Sequence, residues 1–259
     1  MEINGKVAIV TGAGGGGCGR AIATRLAREG ASVVVNEIDD AGGRETVRQI
    51  EARRGRAAFF HADVTVESEI RALIAFAEST FGGLDILVNS AGPHFSGDPL
   101  ENWVETIHGN LLGTAHSTLH GIEAMRRRGG GAVVNFGSTS ALDHGRKHSP
   151  WPAYDIAKAG IVRLTTTLGW LKEKEGIRVN CIVPAWIASE EVKTYWGGLT
   201  PQERKERGAP DALLTLDEVA DAVIELITNE TLAGRVMVLW NGEPRRLIQN
   251  GDPGYAKLE

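Results

Sequence analysis

In the stretch Tyr154-Asp-Ile-Ala-Lys158, a phenol and an ammonium stand four positions apart. On a helix that spacing puts both on one face, one turn apart. A free phenol titrates near about 10, too high to act as a base near neutral pH. A fixed positive charge beside it favours the phenolate and makes the tyrosine a usable proton acceptor or donor. Upstream, Ser138 follows Gly137 at the end of an apolar run. A hydroxyl there can donate to a substrate oxygen as negative charge develops on it, or can simply satisfy its own turn. Asn110, next to Gly109, falls inside a long helical pattern over about 101–128, where an asparagine can also just bend or cap a helix. An exposed Tyr and Lys on an ordinary helix would match the same five residues, so the decision rests on the elements around them.

Those elements alternate. Lys6-Val-Ala-Ile-Val-Thr11 is a short β-branched run of the kind buried in parallel sheets. It runs into Gly12-Ala-Gly-Gly-Gly-Gly-Cys-Gly19 and then a helical pattern over 20–28. Glycines between strand and helix let a pyrophosphate approach main-chain N–H groups at the helix N-terminus. With Gly12, Gly14, Gly17, Cys18 and Gly19 all available, several registers of that fingerprint fit. Ser32-Val-Val-Val-Asn36 is the next strand and ends at Glu37. An acidic residue there holds a ribose 2′-hydroxyl and repels a 2′-phosphate, so NAD is expected in preference to NADP. A helix over roughly 40–53 and a strand over 57–61 lead to Asp63-Val64, at the edge where adenine would lie. Asp63 or Thr65 also reads as a helix cap. Asp85–Asn89 is a fourth strand with Ser90-Ala-Gly92 as its exit, and the repetition predicts a doubly wound parallel sheet in one domain, with its ligand crevice at the carboxyl ends of the strands.

Further on, Gly131–Phe136 reads as strand five and Ile177–Val183 as strand six, followed by Pro184-Ala-Trp-Ile-Ala-Ser189 at the crevice. Between these strands, a pattern over about 153–174 is apolar on more than one face, which predicts burial against the sheet on one side and a subunit neighbour on the other. Residues 190–213, with a Thr200-Pro-Gln-Glu203 helix start, form the expected substrate lid. A helix over 216–228 and a strand over 235–240 close the pattern, and 241–259 reads as a tail without periodicity. Phe95, Trp151, Trp186 and Trp196 are placed at the crevice and suggest an apolar or ring-bearing substrate. The loop 143–151 can wall the pocket or be solvated. Its His144 and His148 have no necessary task beside the Tyr/Lys pair.

Composition narrows the function classes. The 259 residues carry a formal charge of −5 without a basic stretch, which argues against a nucleic-acid partner. Arg126-Arg-Arg128 falls where a helix should end and suits the helix dipole. No apolar run approaches the roughly 20 residues needed to span a bilayer and no signal-like segment opens the chain, so no membrane role is expected. Two cysteines, Cys18 and Cys181, give neither a disulfide framework nor metal spacing, and a cytoplasmic location is expected. His116 and His120 have the i, i+4 spacing of a metal pair but lack a nearby third ligand, so surface or helix-interface histidines are expected.

Taken in order, the glycine loop after Thr11, Asp63, Asn89-Ser-Ala-Gly92, Asn110, Ser138, Tyr154/Lys158 and Pro184 resemble the classical short-chain dehydrogenases/reductases over about residues 4–240. The resemblance implies a single-domain Rossmann-type fold, a doubly wound parallel sheet of about seven strands flanked by helices. It also implies an NAD(P)-dependent oxidoreductase that interconverts a secondary alcohol and a ketone, with Tyr154 as acid/base. Asn110, Ser138, Tyr154 and Lys158 would be catalytic, with Asn110 holding a water that links the lysine to solvent. The cofactor would lie against Gly12, Gly14, Gly17, Cys18, Gly19, Glu37, Asp63, Val64, Asn89, Ala91, Gly92, Tyr154, Lys158, Pro184, Ile187 and Ser189, the last two holding the carboxamide. No metal is implied, and a homotetramer is expected, with a dimer second. The chain departs from the family in a glycine loop one residue longer before Gly17-Cys-Gly19 and in Asn89-Ser90 for Asn-Asn. A longer segment before Tyr154 makes Ser140 a competitor of Ser138. Pro184-Ala185 replaces Pro-Gly, and Trp240-Asn241-Gly242 replaces Asp-Gly-Gly. A non-catalytic NAD-binding regulatory protein and a related lyase or epimerase are the alternatives.

Overall fold

Strands without a polar face are stable only where both faces are covered, and the alternation along each strand shows how that cover is shared. In β1 (Val7–Thr11), Ala8 and Val10 face one apolar cluster while Val7 and Ile9 face another. The computed structural model describes residues 1–92, 101–142, 151–249 and 251. After β1 come α1 (Cys18–Arg28), β2 (Ser32–Glu37), α2 (Asp40–Ala52), β3 (Arg56–His61), α3 (Glu67–Phe81) and β4 (Ile86–Asn89). Next are α4 (Trp103–Ile107), a π turn (His108–Leu112), α5 (Gly113–Arg128), β5 (Gly131–Phe136) and α6 (Pro152–Thr167). The chain continues through α7 (Leu171–Glu175), β6 (Ile177–Pro184), α8 (Glu190–Gly198), α9 (Pro201–Glu206), α10 (Leu216–Thr228), β7 (Val236–Leu239) and β8 (Arg246–Leu247).

The strands form one sheet in the order β3-β2-β1-β4-β5-β6-β7-β8, parallel except for β8. Ile22 and Leu26 of α1, Ile50 of α2 and Val219, Val223 and Leu226 of α10 cover one face. Ile70, Leu73 and Ile74 of α3 with Ile122 and Met125 of α5 cover the other. Each such side chain, fully buried, contributes about 1.5–3 kcal/mol. The order reverses between β1 and β4, and that is where ligands bind in open α/β sheets. The carboxyl ends of β1, β2, β4, β5 and β6 deliver Gly12, Glu37, Asn89, Gly137 and Pro184 to a single edge.

Local capping agrees with the residue types. Asp39 accepts from Ala41 and Gly42 N–H ahead of α2, and Thr200/Glu203 and Thr215/Glu218 form capping boxes on α9 and α10. Arg126, Arg127 and Arg128 occupy the last turn of α5 and pair with Glu175, Glu78 and Asp85.

Three expectations change. The helix expected over 153–174 ends at Thr167 and resumes as α7, and within the break Gly169 passes the Gly234 backbone so closely that an added Cβ would lie 3.2 Å from Gly234 Cα. The pattern over 101–128 is interrupted by the π turn. The expected tail supplies an eighth strand, whose Arg246 and Leu247 pair antiparallel with Val238 and Met237. Phe95, His144, His148 and the end of the tail beyond Gly251 lie outside the described residues.

Candidate active site

Tyr154 sits in the first turn of α6, which Pro152 opens, and Lys158 follows one turn later with its side chain buried. The Lys158 ammonium lies 5.3 Å from the centre of the Tyr154 ring and donates to the Phe136 carbonyl at 3.0 Å. β5 ends at Phe136, so the carbonyl that fixes the lysine and the serine that faces the tyrosine come from adjoining residues. The Ser138 hydroxyl is hydrogen-bonded to the Tyr154 phenol and also accepts from Ser140 N at 3.3 Å. Ser138 thus braces its own turn and still contacts the Tyr154 phenol. Ser140 Oγ is buried without a hydrogen-bond partner and makes no bond to the tyrosine.

Burial raises the Tyr154 phenol above its ordinary value. The Ser138 hydrogen bond pulls the other way, and the Asp155 charge adds to the rise. The depression expected from Lys158 is not what this environment produces, because desolvation disfavours the phenolate. Burial also pushes Lys158 down to about 8. At neutral pH the pair is therefore a protonated phenol and a cationic lysine. Cys181 is buried beside Lys158, and its thiol is pushed up to about 12 by burial. Cys18, at the start of α1, is also raised to about 12. Neither thiol has thiolate character at neutral pH.

Asn110 occupies the centre of the π turn and is 1 % exposed. The extra residue of a π turn reorients backbone and side chains inside a helix. Here Asn110 Nδ2 donates to Thr106 O at 3.2 Å, and its carbonyl accepts from Thr114 Oγ1 at 2.9 Å. Its Oδ1 points at Gly92, where a Cβ would come within 2.8 Å, so a larger residue at 92 would have to displace the Asn110 side chain.

The glycine loop fits a dinucleotide diphosphate. Gly12 has φ +65°, and a Cβ there would lie 2.7 Å from Ala91 Cα. Thr11 Oγ1 accepts from Ala91 N at 3.1 Å, and Ser90 Oγ donates to Thr11 O, which fastens β4's exit to the loop. A Cβ at Gly19 would run into the Gly12 carbonyl, whereas Cβ atoms at Gly15 and Gly17 would meet nothing within 4 Å. The loop thus leaves an open cradle at 15–17 ahead of α1. Glu37 faces the loop, its carboxylate accepting from Gly14 N and Ile38 N at 2.9 Å each.

Asp63 Oδ1 accepts from Thr65 N and Oγ1, both at 2.8 Å, which makes a turn before α3, whose N-cap is Val66. The Val64 carbonyl lies against Gly113 at the start of α5. Asn89 turns inward, and its Nδ2 donates to Thr118 Oγ1 at 3.0 Å and Asn135 Oδ1 at 2.9 Å. Ile187 bridges to Leu214, and Ser189 Oγ caps α8 at Val192 N. Asn241, seen in the sequence only as a departure, holds Trp186 through both backbone groups: Trp186 N donates to its Oδ1 at 3.1 Å, and its Nδ2 donates to Trp186 O at 2.8 Å. Trp186 stacks on Tyr195 of α8, with ring centres 6.0 Å apart. Trp196 is engaged within residues 190–213, bonded to Pro210 O and covered by the Arg204 guanidinium. His120 pairs with Glu67 at 2.8 Å, and among the described residues no group of three potential ligands could hold a metal.

Known proteins resemble this chain in sequence and fold. The family model described as short chain dehydrogenase matches residues 6–197. D-beta-hydroxybutyrate dehydrogenase of Cupriavidus necator is 34% identical, over 92% of this chain and 96% of its own. 3beta-hydroxysteroid dehydrogenase 1 of Eggerthella lenta is 37% identical over 71% of each chain. Among solved structures, a 7 alpha-hydroxysteroid dehydrogenase complexed with NADH and 7-oxo glycochenodeoxycholic acid superposes with a TM-score of 0.82 at 28% identity, covering 95% of this chain and 97% of that one. With its fold, site order and relatives in agreement, the chain belongs to the classical short-chain dehydrogenase/reductase family and is an NAD(P)-dependent oxidoreductase of alcohols and ketones.

Proposed function

We propose that the enzyme uses NAD in preference to NADP and that Tyr154 is its proton donor and acceptor. The observation that carries this reading is the Ser138–Tyr154 hydrogen bond beside the buried Lys158 ammonium. In ketone reduction, the Tyr154 phenol gives its proton to the carbonyl oxygen while Ser138 holds that oxygen by a second hydrogen bond. In alcohol oxidation, Tyr154 takes the hydroxyl proton as the carbon gives up hydride. The nicotinamide, when bound, supplies or accepts that hydride. Lys158 steadies the phenolate and reaches the nicotinamide ribose, and Asn110 holds water on the path from lysine to solvent.

The residues assigned to the cofactor divide by position. Glu37 takes the adenosine ribose, and its carboxylate repels a 2′-phosphate. Asp63 and Val64 take the adenine. Gly12, Gly14, Gly17, Cys18 and Gly19 border the diphosphate. Asn89, Ala91 and Gly92 flank the nicotinamide ribose, and Pro184, Ile187 and Ser189 take the carboxamide. Residues 190–213 serve as the substrate lid, and Trp186 on Tyr195 favours a substrate with an apolar or ring-bearing body.

Val104, Leu119 and Ile156 are 73%, 48% and 51% exposed on α4, α5 and α6. That apolar surface supports an assembly of copies of this chain, a homotetramer first and a dimer second. Unpaired cysteines and the lack of any described helix able to cross a membrane support a cytoplasmic setting.

The test is nicotinamide absorbance at saturating cofactor over alcohols and ketones, with NAD and NADP separately, for wild type and Tyr154→Phe. Sedimentation of the same preparation reports assembly. Turnover should vanish in the variant while NADH binding stays within about threefold of wild type. Because the phenol titrates above its ordinary value, oxidation should rise with pH, about tenfold per unit below that pKa, while reduction holds level and then falls. A variant that retains turnover would remove Tyr154 from the chemistry.

A further inference from the structure

We propose that Arg20 and Thr46 form a clamp that positions the diphosphate loop by fastening it to α2, an inference that rests on reading residues 12–19 as the cofactor loop. A loop of consecutive glycines has wide backbone freedom that binding must remove. It also has little behind it. A groove of about 230 Å³ opens on its outer side, bordered by Gly16, Gly17, Arg20 and Thr24 of the loop and α1 and by Gln49 and Arg53 of α2. What holds the loop is polar. The Arg20 guanidinium donates to the Gly14 carbonyl and, at 3.3 Å, to the Gly42 carbonyl in the first turn of α2. Arg20 Nε donates to Thr46 Oγ1 at 2.9 Å, and that hydroxyl donates to the Ala13 carbonyl at 2.7 Å.

Peptide planarity turns these bonds into orientation. A trans peptide sets its C=O and N–H in opposite directions. The Ala13 carbonyl held by Thr46 thus points the Gly14 N–H towards Glu37, which accepts it. The Gly14 carbonyl held by Arg20 points the Gly15 N–H away from α2, into the space where a Gly15 Cβ would meet nothing within 4 Å. The clamp thereby presents an N–H donor to an anion and joins the loop to the strand end that carries Glu37. The approach is close enough to require glycine in α2, since a Cβ on Gly42 would lie 2.7 Å from the Gly14 carbonyl oxygen. Both residues are therefore positioning residues, acting on the cofactor through the loop.

The test is NADH affinity, read by fluorescence titration and calorimetry, with KM for NAD and kcat measured alongside. Thr46→Val keeps shape and loses the hydroxyl, Thr46→Ser restores it, and Arg20→Lys keeps charge but loses the fork. Gly42→Ala perturbs the loop from α2 without touching either side chain. Thr46→Val and Arg20→Lys should each weaken NADH binding by about tenfold, mainly as a KM effect. Thr46→Ser should stay near wild type, the double variant should fall short of the product of the two single losses, and Gly42→Ala should also bind more weakly. Wild-type affinity in Thr46→Val and Arg20→Lys, or fully additive losses, would overturn the clamp and leave the cofactor site standing. A wild-type protein that binds neither NADH nor NADPH would overturn both.

Discussion

Replacing Lys158 by methionine should make the protein more stable while removing its activity. A group whose pKa falls from 10.5 to about 8 on folding lowers stability at pH 7 by about 3 kcal/mol, at about 1.4 kcal/mol per tenfold. Methionine fills a similar volume without a charge, but the variant loses a charge-assisted hydrogen bond and leaves the buried Phe136 O unpaired, a cost of about 1–3 kcal/mol. The net expectation is a gain of about 0–2 kcal/mol, with an upper end of roughly 4–8 °C in Tm at the size-dependent scale for such chains. The sign with pH is fixed. Below pH 8 folded and unfolded chains both carry the lysine proton, so the cost is complete. Between about 8 and 10.5 the folded chain releases it first, the unfolded state binds more protons, and this part of the stability is recovered. The advantage of Lys158→Met should therefore fade towards pH 10.5. Denaturant and thermal unfolding of both proteins at pH 7 and pH 10.5 would measure it, without cofactor and at equal protein concentration, since ligands and assembly shift apparent stability. A variant that is less stable than wild type at pH 7, or whose advantage does not change with pH, would refute the reasoning.

The two serines should separate cleanly. Ser138→Ala is expected to lower kcat/KM by about a hundredfold, as loss of one donor to a developing oxyanion does, whereas Ser140→Ala should stay within about threefold, its hydroxyl having no partner. Equal losses in steady-state assays would reopen the choice between them. Glu37→Ser should weaken NAD by about tenfold, because Gly14 N and the ribose lose a charged acceptor, and should improve NADP in the same fluorescence titration. NADP affinity unchanged in that variant would show that Glu37 does not set the choice of cofactor.

The sequence was most legible where a local pattern and a buried element coincide. The runs at 7–11, 32–37 and 131–136 became strands because their central valines and isoleucine are buried on both faces of the sheet, and Thr215 with Glu218 marked the start of α10. Ser138 follows the end of β5, Asn110 lies in the π turn ahead of α5, and Tyr154 and Lys158 lie in the first two turns of α6, so one site was predicted from the order of these residues along the chain and not from any single element. Less was legible where long-range approach decides. Gly169, in the helix break, packs against Gly234, 65 positions away, and β8 exists only because the chain returns beside β7. Thr46 carried no signal at all, since a threonine inside a helix points to nothing until the Ala13 carbonyl is found beside it.

The sequence by itself determined the fold class and the alternation of strand and helix, because those follow from periodicity and chemical type, and it named the side chains proposed here to react. Only the tertiary structure decided that Tyr154 is raised rather than lowered, that Ser138 and not Ser140 meets it, and how the glycine loop is held. Desolvation, hydrogen-bond partnership and close backbone contact depend on atoms brought together from distant parts of the chain, and no spacing along the sequence encodes them.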